Sequence, residues 1–238
     1  MKLDNKVILI TGASRGIGKE TVEAALKLNV KKIYAAARNI AQLPDFKDIR
    51  VVPVTLDITN AEQISAAAKL ASDVDVLINN AGVLSAGSVL TSSTEALLED
   101  LTVNYIGTLM VSRAFQPVLK ANGGGAIVSV SSILGKASIA AMGGYCASKA
   151  ALFSAIQSMR TELKSQGTAV FGVFPGPTET DMTKGLSMPK AKASDTAANI
   201  LKGIEAGDED IYPDETSAQL AQLWSSNPKQ LEREFAKF

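Results

Sequence analysis

Tyr145 and Lys149 are the residues whose types and spacing most directly predict acid–base chemistry in this sequence. They lie four residues apart in a stretch with a helical pattern, so they share one face of a helix. A free phenol has a pKa of about 10, and bringing it to about 7 requires roughly 4 kcal/mol of preferential stabilisation of the phenolate. An ammonium group about 4 Å away, at an effective dielectric constant of about 20, supplies roughly that much. We therefore predict that Lys149 lowers the pKa of Tyr145 and that Tyr145 moves a proton.

The composition excludes the most common alternatives to this pair. The chain has no histidine, which removes Ser-His-Asp hydrolysis and the most common metal ligand. Its single cysteine, Cys146, allows neither an intramolecular disulfide nor a thiolate zinc cluster, and is interpreted as a small buried hydrophobe. Lysine plus arginine equals aspartate plus glutamate, at 24 each, so neither nucleic acid nor a membrane is an expected partner. No metal site is predicted.

A regular alternation of elements must position the reactive pair. Short apolar runs rich in β-branched residues alternate with segments of helix length, a pattern typical of parallel strands covered by helices on both faces. The sequence therefore predicts an α/β fold in which one domain, 1–238, contains a doubly wound parallel sheet of about seven strands with helices on both faces. The clearest strands are expected at 7–10, 33–37, 51–56, 74–78, 126–130 and 169–174, and the clearest helices at 16–28, 61–71, 98–119 and 144–165.

Two further segments have a distinct composition. Residues 176–193 are rich in Pro, Thr, Met and Lys and are expected to form an irregular excursion, which we interpret as a lid over the substrate. Residues 217–238 are expected to form one or two amphipathic helices divided near Pro228, with Trp224 packing between them. Neither a secretory signal nor an apolar run of membrane-spanning length is evident, so a cytoplasmic location is expected.

The turn after the first predicted strand predicts dinucleotide binding. Gly12 permits a tight turn, Gly16 lets the backbone approach a pyrophosphate, and Gly18 lets the following helix pack close to the strand. The start of that helix offers free N–H groups and a positive dipole end to the phosphates. Because the glycines lie between an apolar strand and an amphipathic helix, the context matches a Rossmann fold. The expected contacts in this loop are Gly12, Ser14, Arg15, Gly16, Ile17 and Gly18.

The glycine spacing, Gly-x-x-x-Gly-x-Gly, resembles that of the short-chain dehydrogenase/reductase family. The resemblance continues in order through Asn79-Asn80-Ala81-Gly82, Asn104, Ser132, Tyr145-x-x-x-Lys149 and Pro175-Gly176, and covers nearly the whole chain. It implies a catalytic set of Asn104, Ser132, Tyr145 and Lys149, in which Asn104 holds a water that relays protons to the lysine. Ser132 is preferred over Ser131 because its thirteen-residue step to Tyr145 matches the family.

The same resemblance implies further cofactor contacts. Asp57 would accept from the adenine amino group with Ile58 beside the ring, although Asp57 also precedes a helix and could cap it, as could Thr59 or Asn60. The remaining implied contacts are Asn80, Ala81, Gly82, Tyr145, Lys149, Pro175, Gly176, Thr178 and Thr180. Family members are commonly dimers or tetramers built on two long helices, so a homodimer or homotetramer is expected from 98–119 and 144–165.

The residues after the second predicted strand indicate which dinucleotide is bound. An enzyme that uses NAD commonly ends this strand with an acid that binds the adenosine ribose hydroxyls. Here the strand ends Ala35-Ala36-Ala37 and Arg38 follows. An arginine can bind a 2′-phosphate through two hydrogen bonds, and Arg15 in the glycine loop is expected on the same side. The sequence therefore predicts NADP(H) as the cofactor.

These observations predict an oxidoreductase that interconverts a carbonyl and an alcohol by hydride transfer. The residues around Tyr145 and in the lid are mostly small or apolar, which favours an apolar ketone or aldehyde, and the pocket is expected to include Leu134, Met142, Met182 and Leu186. An acyl-carrier substrate, the oxidative direction and a related lyase or epimerase reaction stay open. The alternative from another class is a non-catalytic NADP(H)-binding regulatory or scaffold protein, since fold does not establish function. Such a protein has no need for Ser132, Tyr145 and Lys149 together.

Overall fold

The computed structural model describes all 238 residues and contains one sheet of seven parallel strands. The strands are β1 (Val7–Thr11), β2 (Lys32–Ala37), β3 (Val51–Thr55), β4 (Val76–Asn79), β5 (Gly125–Val130), β6 (Thr168–Val173) and β7 (Asp210–Ile211). Their order across the sheet is β3-β2-β1-β4-β5-β6-β7. Successive strands are added towards one edge from β1 to β3 and towards the other edge from β4 to β7, so the order switches between β1 and β4. In such sheets ligands bind beyond the carboxyl ends of the strands at this switch point.

Eight α-helices cover the two faces of the sheet. They are α1 (Gly16–Leu26), α2 (Ala61–Leu70), α3 (Thr94–Leu101), α4 (Thr108–Ala121), α5 (Gly143–Leu163), α6 (Ala193–Ala206), α7 (Glu215–Ser226) and α8 (Pro228–Phe235). The predicted doubly wound α/β fold is confirmed. The C-terminal helices also divide where expected, because Pro228 begins α8 and a proline is well suited to the first turn of a helix.

Burial on both faces explains why the strands are so apolar. All five residues of β1 are buried, with Val7 and Leu9 in the core cluster on one face and Ile8 and Ile10 in the cluster on the other. A strand covered on both sides has no solvent face, so it loses the alternation of polar and apolar residues. Burying each such side chain stabilises the fold by about 1.5–3 kcal/mol.

The predicted helix 98–119 differs from the structure in two respects. It begins earlier, at Thr94, where the Ser93 side chain accepts a hydrogen bond from the N–H of Ala96 and caps α3. It is also interrupted by a π-helical segment, Thr102–Gly107, which holds the fully buried Asn104. Wider turns of this kind are common at functional sites. They leave the spacing of apolar residues on either side unchanged, so the periodicity of apolar residues in the sequence does not predict them.

The seventh strand and the lid could not be delimited from the apolar pattern. β7 has only two residues and pairs with the end of β6 at the edge of the sheet. The expected lid is an ordered loop whose ends pair with each other through Thr178 and Ala191, with a short 3-10 turn at Asp181–Thr183. None of the helices combines the length and hydrophobicity that a membrane-spanning segment needs.

Candidate active site

A large cleft, about 1710 Å³ in volume, opens along the carboxyl edge of the sheet. Nearly every residue predicted to bind the cofactor lines it, from the glycine loop through Arg38 and Asp57 to the segment after β6. Gly18 is the exception, because it packs beneath the loop; Asn104, which was predicted to be catalytic, is buried behind the floor of the cleft. The tertiary structure therefore brings together residues that lie far apart in the sequence.

The glycine loop has the shape that a dinucleotide phosphate requires. Gly12 has a φ of +67°, a backbone conformation that residues with a side chain rarely adopt. A Cβ on Gly18 would clash with the carbonyl oxygen of Gly12, so glycine is required for the close packing of α1. The first turn of α1 has neither a side-chain cap nor an acidic residue, which leaves its N–H groups and positive dipole end to a phosphate. Thr180 lies directly over Gly16. The residues present therefore fit a dinucleotide.

The adenosine end of the cleft holds two arginines and one carboxylate. Arg15 and Arg38 are both exposed and both line the cleft. Asp57 accepts hydrogen bonds from the N–H and the hydroxyl of Thr59, at 2.9 and 2.7 Å, and these bonds together with the Arg38 charge hold the pKa of Asp57 below its usual value. The cap of α2 is Asn60, which accepts from the N–H of Gln63. The Asp57 side chain therefore lies in the cleft, and Asn60, three residues later, caps the helix.

Asn80 braces the cleft from the other side of β1. Its side-chain amide donates to the carbonyl oxygens of Thr11 and Gly12, at 2.9 and 3.2 Å, and the backbone N–H groups of Asn80 and Ala81 both donate to the Thr11 hydroxyl. These four bonds tie the end of β4 to the end of β1. Asn80 thus holds the shape of the glycine loop with its own side chain.

Tyr145, Ser132 and Lys149 converge on the floor of the cleft. Tyr145 lies in the first turn of α5 with Lys149 one turn later, and Ser132 follows β5; all three are buried. The Ser132 hydroxyl accepts from the N–H of Leu134 at 3.1 Å and lies beside the Tyr145 phenol, whereas the Ser131 hydroxyl donates to the Lys149 carbonyl oxygen at 3.1 Å. The Lys149 ammonium donates to the carbonyl oxygen of Val130 at 2.9 Å and lies 5.5 Å from the centroid of the tyrosine ring.

The predicted effect of Lys149 on Tyr145 is contradicted by this arrangement. Burial raises the pKa of Tyr145 to about 12, and the neighbouring Ser132 hydroxyl only partly opposes this rise. Burial also lowers the pKa of Lys149 to about 8, against the negative charge of Asp100. The expected lowering holds only for a half-solvated pair, whereas here both groups lose their water, and desolvation disfavours each charged form. The phenol therefore keeps its proton at neutral pH.

Asn104 links this floor to the loop after β4. Its side-chain oxygen accepts from the N–H of Val83 at 2.8 Å, and its amide donates to the Val83 carbonyl oxygen and to the Ser148 hydroxyl, each at 2.9 Å. A Cβ on Gly82 would lie 3.0 Å from the Asn104 side-chain oxygen and 3.6 Å from the Lys149 ammonium, so both groups meet at this glycine. The part of Asn104 in a water relay stays a prediction.

Comparison with known proteins identifies the family. The family model for short chain dehydrogenase matches residues 6–191. The chain is 34% identical over 209 residues to the 3-oxoacyl-(acyl-carrier-protein) reductase FabG of Vibrio cholerae, covering 85% of each protein. It is 32% identical over 201 residues to mouse dehydrogenase/reductase SDR family member 7, but spans only 58% of that protein's length. A short chain dehydrogenase from Burkholderia cenocepacia J2315, solved in complex with NADP, superposes with a TM-score of 0.94 at 37% identity over 99% of each chain.

The chain belongs to the short-chain dehydrogenase/reductase family. It is accordingly an oxidoreductase of the class that acts on CH–OH and C=O groups with NAD(P)(H). The family resemblance inferred from the glycine spacing and the Tyr-x-x-x-Lys motif is confirmed. The roles of individual residues in this short-chain dehydrogenase/reductase rest on the geometry described above.

The part of the cleft next to Tyr145 is apolar. Leu134, Met142, Met182 and Leu186 all line it, as expected, and Met142 packs against Tyr145 and Cys146 with Leu134 and Leu186 beside them. Met182 is the most open of the four, at 43% exposure. Cys146 is buried, in keeping with its interpretation as a small hydrophobe.

Sequence reasoning missed the C-terminal wall of this pocket. Leu220 from α7 and Phe235 and Phe238 at the end of the chain line the same cleft. Asp214 accepts from the N–H of Gly176 at 2.8 Å with one carboxylate oxygen and caps α7 with the other, so it anchors the C-terminal helices to the segment after β6. The amphipathic pattern of 217–238 predicted helices, but no local signal shows which part of the molecule an apolar face will cover.

Sequence reasoning also missed the environment of Lys136, which follows the Ser132 turn. Its side chain is fully buried, and the ammonium lies 3.3 Å from the ring centroid of Phe153, 4.3 Å from that of Phe174 and 4.2 Å from that of Trp224. Its only ionic partner is Asp210, at 3.6 Å. Burial lowers the pKa of Lys136 to about 8. Trp224 thus packs against Phe153 of α5 and this lysine.

Proposed function

We propose that the protein is an NADP(H)-dependent oxidoreductase that interconverts an apolar ketone or aldehyde and its alcohol, with Tyr145 as general acid. The observation that carries this proposal is the convergence of Ser132, Tyr145 and Lys149 on the floor of a cleft whose other end presents two arginines. A protein that only binds a dinucleotide has no need for a buried phenol beside a serine hydroxyl and a lysine ammonium. The cleft is large enough for a dinucleotide and a second molecule.

The reaction follows from the protonation state of Tyr145. When bound, NADPH supplies the hydride that goes to the carbonyl carbon. The carbonyl oxygen accepts hydrogen bonds from Ser132 and Tyr145, and the phenol transfers its proton to that oxygen as negative charge develops there. A proton from water then restores the phenol. Because burial holds the pKa of Tyr145 at about 12, the phenol is protonated at neutral pH, which suits the reductive direction.

Lys149 and Asn104 prepare this floor for the reaction. Lys149 carries its ammonium beside Gly82 in the cofactor cleft, within reach of a ribose hydroxyl, and its charge favours the phenolate that remains after proton transfer. Asn104 holds the loop that contains Gly82 and, through Ser148, the first turns of α5. Their combined effect is to fix the reacting groups before the substrate binds.

The preference for NADP(H) over NAD(H) rests on the adenosine end. β2 ends in Ala37 where an NAD enzyme commonly has an acid, and the exposed side chains of Arg38 and Arg15 both line the cleft where a 2′-phosphate would lie. The Burkholderia relative was solved with NADP, which supports the same assignment. The segment 176–193 is proposed to act as the lid, since Thr180, Met182 and Leu186 in it all face the cleft.

A homodimer or homotetramer is proposed from the surface around α3 and α4. Ile106 between these helices is 44% exposed and Leu90 in the loop before α3 is 91% exposed, whereas Leu98, at 54%, lines the cleft. Large apolar side chains that are exposed to water favour burial against a partner. Light scattering on the purified protein tests this expectation, and a monomer at micromolar concentration would contradict it.

The test of the proposed function is NADPH consumption with a panel of ketones, aldehydes and acyl thioesters. Tyr145→Phe removes the proton donor but keeps the ring, so turnover is expected to fall by at least about 100-fold while the dissociation constant for NADPH changes little. The reductase assignment predicts the largest rates with apolar carbonyl compounds. Substantial residual turnover in Tyr145→Phe would contradict the role of the tyrosine, and no consumption with any carbonyl would contradict the function.

A further inference from the structure

Asp100 is the only acidic residue that the fold buries completely. It lies in the last turn of α3, one helical turn before Asn104, so its side chain and that of Asn104 project from the same side of the helix. One carboxylate oxygen accepts from the N–H of Ser85 at 3.0 Å. The other has no hydrogen-bond partner in the structure, although it is fully shielded from solvent. Burying a carboxylate with only one of its two oxygens hydrogen-bonded costs folding free energy. Such a residue is therefore a candidate for a functional role.

The Asp100 oxygen without a partner faces the start of α5, the helix that carries Tyr145 and Lys149. A Cβ on Gly144 would lie 3.0 Å from this oxygen and 2.8 Å from the side chain of Leu97, so only glycine lets α5 approach α3 so closely. α5 has no side-chain cap and no acidic residue in its first turn. The carboxylate of Asp100 therefore stands next to the positive dipole end of α5, immediately before Tyr145.

Asp100 and Asn104 together hold the loop after β4. Asn104 binds both backbone groups of Val83, and Asp100 binds the N–H of Ser85 two residues later. This loop includes Gly82, which lies against both Asn104 and the ammonium of Lys149. Asp100 and Asn104, which lie one helical turn apart, therefore hold the loop after β4 at two points, and the contact made by Asp100 comes from a group that can carry a charge.

The charges that face Asp100 come from three elements. Burial raises the pKa of Asp100, and Glu99 on its own helix adds to this, whereas Ser85 in the loop after β4 and the charge of Lys149 on α5 oppose it. The charge of Asp100 in turn raises the pKa of Tyr145 on α5. Lys149 is itself almost completely buried, and Asp100 is the one negative charge that opposes the loss of its proton. The fold therefore buries its only fully enclosed acid close enough to the lysine of the active site for the two charges to interact, without a direct ion pair.

We infer that Asp100 is a positioning residue that holds the loop after β4 against the first turn of α5 and supplies a negative charge to the buried floor of the active site. It acts through these neighbours and does not touch the substrate. Without its charge, Lys149 loses its proton at lower pH and Tyr145 ionises at lower pH, because a negative neighbour raises the pKa of both groups. Both effects lower the pH above which the reductive reaction loses activity.

The test is the pH profile of kcat in Asp100→Asn. The amide keeps the shape of the side chain and its bond to Ser85 but removes the charge, so the alkaline limb of the profile is expected to move down by about one pH unit or more. Asp100→Ser, smaller and also neutral, is expected to move it in the same direction. Glu95→Gln is the matched control, because it removes an exposed negative charge from the same helix and should leave the profile in place. Unchanged limbs in the folded Asp100 variants overturn the inference.

A second measurement needs no variant and no activity. At neutral pH the inference requires an ionised Asp100, so the infrared spectrum of the wild-type protein is expected to lack the carbonyl band of a protonated carboxylic acid. Because all other acids are at least partly exposed, such a band at neutral pH identifies a neutral Asp100 and overturns the inference. The inference rests on the proposed function through Lys149. An inactive wild type with an ionised Asp100 would count against the function and leave the carboxylate's role in holding the loop.

Discussion

The guanidinium of Arg15 in the glycine loop and the carboxylate of Asp181 in the lid form an ion pair at 3.3 Å. Both side chains are largely exposed, at 73% and 67%, so the pair contributes about 1 kcal/mol at most. A cofactor 2′-phosphate carries up to about two negative charges and would compete for the same guanidinium. The lid and the cofactor are thus alternative partners of one arginine.

Asp181→Asn is therefore expected to tighten NADPH binding. Removing the competing carboxylate frees Arg15 and lowers the negative potential near the phosphate, so the dissociation constant should fall about two- to fivefold at low salt. NADH, which lacks the phosphate, should change less. Fluorescence titrations with both cofactors measure this, with Asp208→Asn as an exposed-acid control on the far edge of the sheet. Weaker NADPH binding, or an equal gain for NADH, would falsify the competition.

Cofactor selectivity is expected to reverse when the end of β2 is changed. Ala37→Asp together with Arg38→Ile adds an acceptor for ribose hydroxyls and removes a phosphate ligand. A hydrogen bond to a charged group contributes about 1.5–3 kcal/mol, so the ratio of kcat/KM for NADPH to that for NADH should fall about 10- to 100-fold. Steady-state kinetics with each cofactor test it. An unchanged ratio in a stable double mutant contradicts the assignment of Arg38.

Substitutions of Lys136 are expected to separate its charge from its packing. Lys136→Met fills the same space among Phe153, Phe174 and Trp224, whereas Lys136→Ala leaves a cavity and should lower the free energy of unfolding by about 2–4 kcal/mol. In the wild type the folded protein binds this proton less tightly than the unfolded chain, because burial lowers the pKa from 10.5 to about 8. The stability contribution of Lys136 should thus rise by about 3 kcal/mol between pH 8 and pH 10.5.

Urea unfolding across that pH range measures the effect. Lys136→Met should show a smaller rise than the wild type, while Lys149, whose pKa burial also lowers to about 8, contributes equally in both proteins. At neutral pH Lys136→Met should match or exceed the stability of the wild type, because a buried charge with one ionic partner is costly. A strongly destabilised Lys136→Met protein would mean that the three aromatic rings stabilise the ammonium more than burial disfavours it.

Leu186→Ala is expected to raise KM for a long-chain apolar ketone. The side chain lines the pocket beside Met142, and losing it removes about 1–2 kcal/mol of apolar contact with the substrate, which corresponds to roughly 5- to 30-fold in KM. The value of kcat should change little, because this contact is the same in the ground state and in the transition state. Leu70→Ala, the same change at an exposed position of α2, is the control. An unaltered KM would place the substrate elsewhere in the cleft.

Short stretches of the sequence were sufficient to predict the parallel strands, the glycine loop and the reactive pair. The uninterrupted apolar runs predicted the covered parallel strands because a strand such as β1 has no solvent face, and this signal lies within five residues. The glycine loop and the Tyr145–Lys149 spacing are likewise short-range patterns, and each predicts its chemistry from the backbone and side chains of one turn. The absence of histidine, which is a matter of composition alone, narrowed the acid–base groups to tyrosine, lysine and the carboxylates.

The tertiary structure decided what depends on distant neighbours. Burial, not the adjacent lysine, sets the pKa of Tyr145, and burial is a property of the whole fold. The aromatic surroundings of Lys136 come from α5, the residue after β6, and α7, and the substrate pocket is closed by the last residues of the chain. Asp100 is an ordinary helix residue in the sequence, and it gains its significance only because α3 packs against the glycine at the start of α5. Periodicity reports which face of a segment is apolar, but the desolvation of a charge depends on every element that surrounds it.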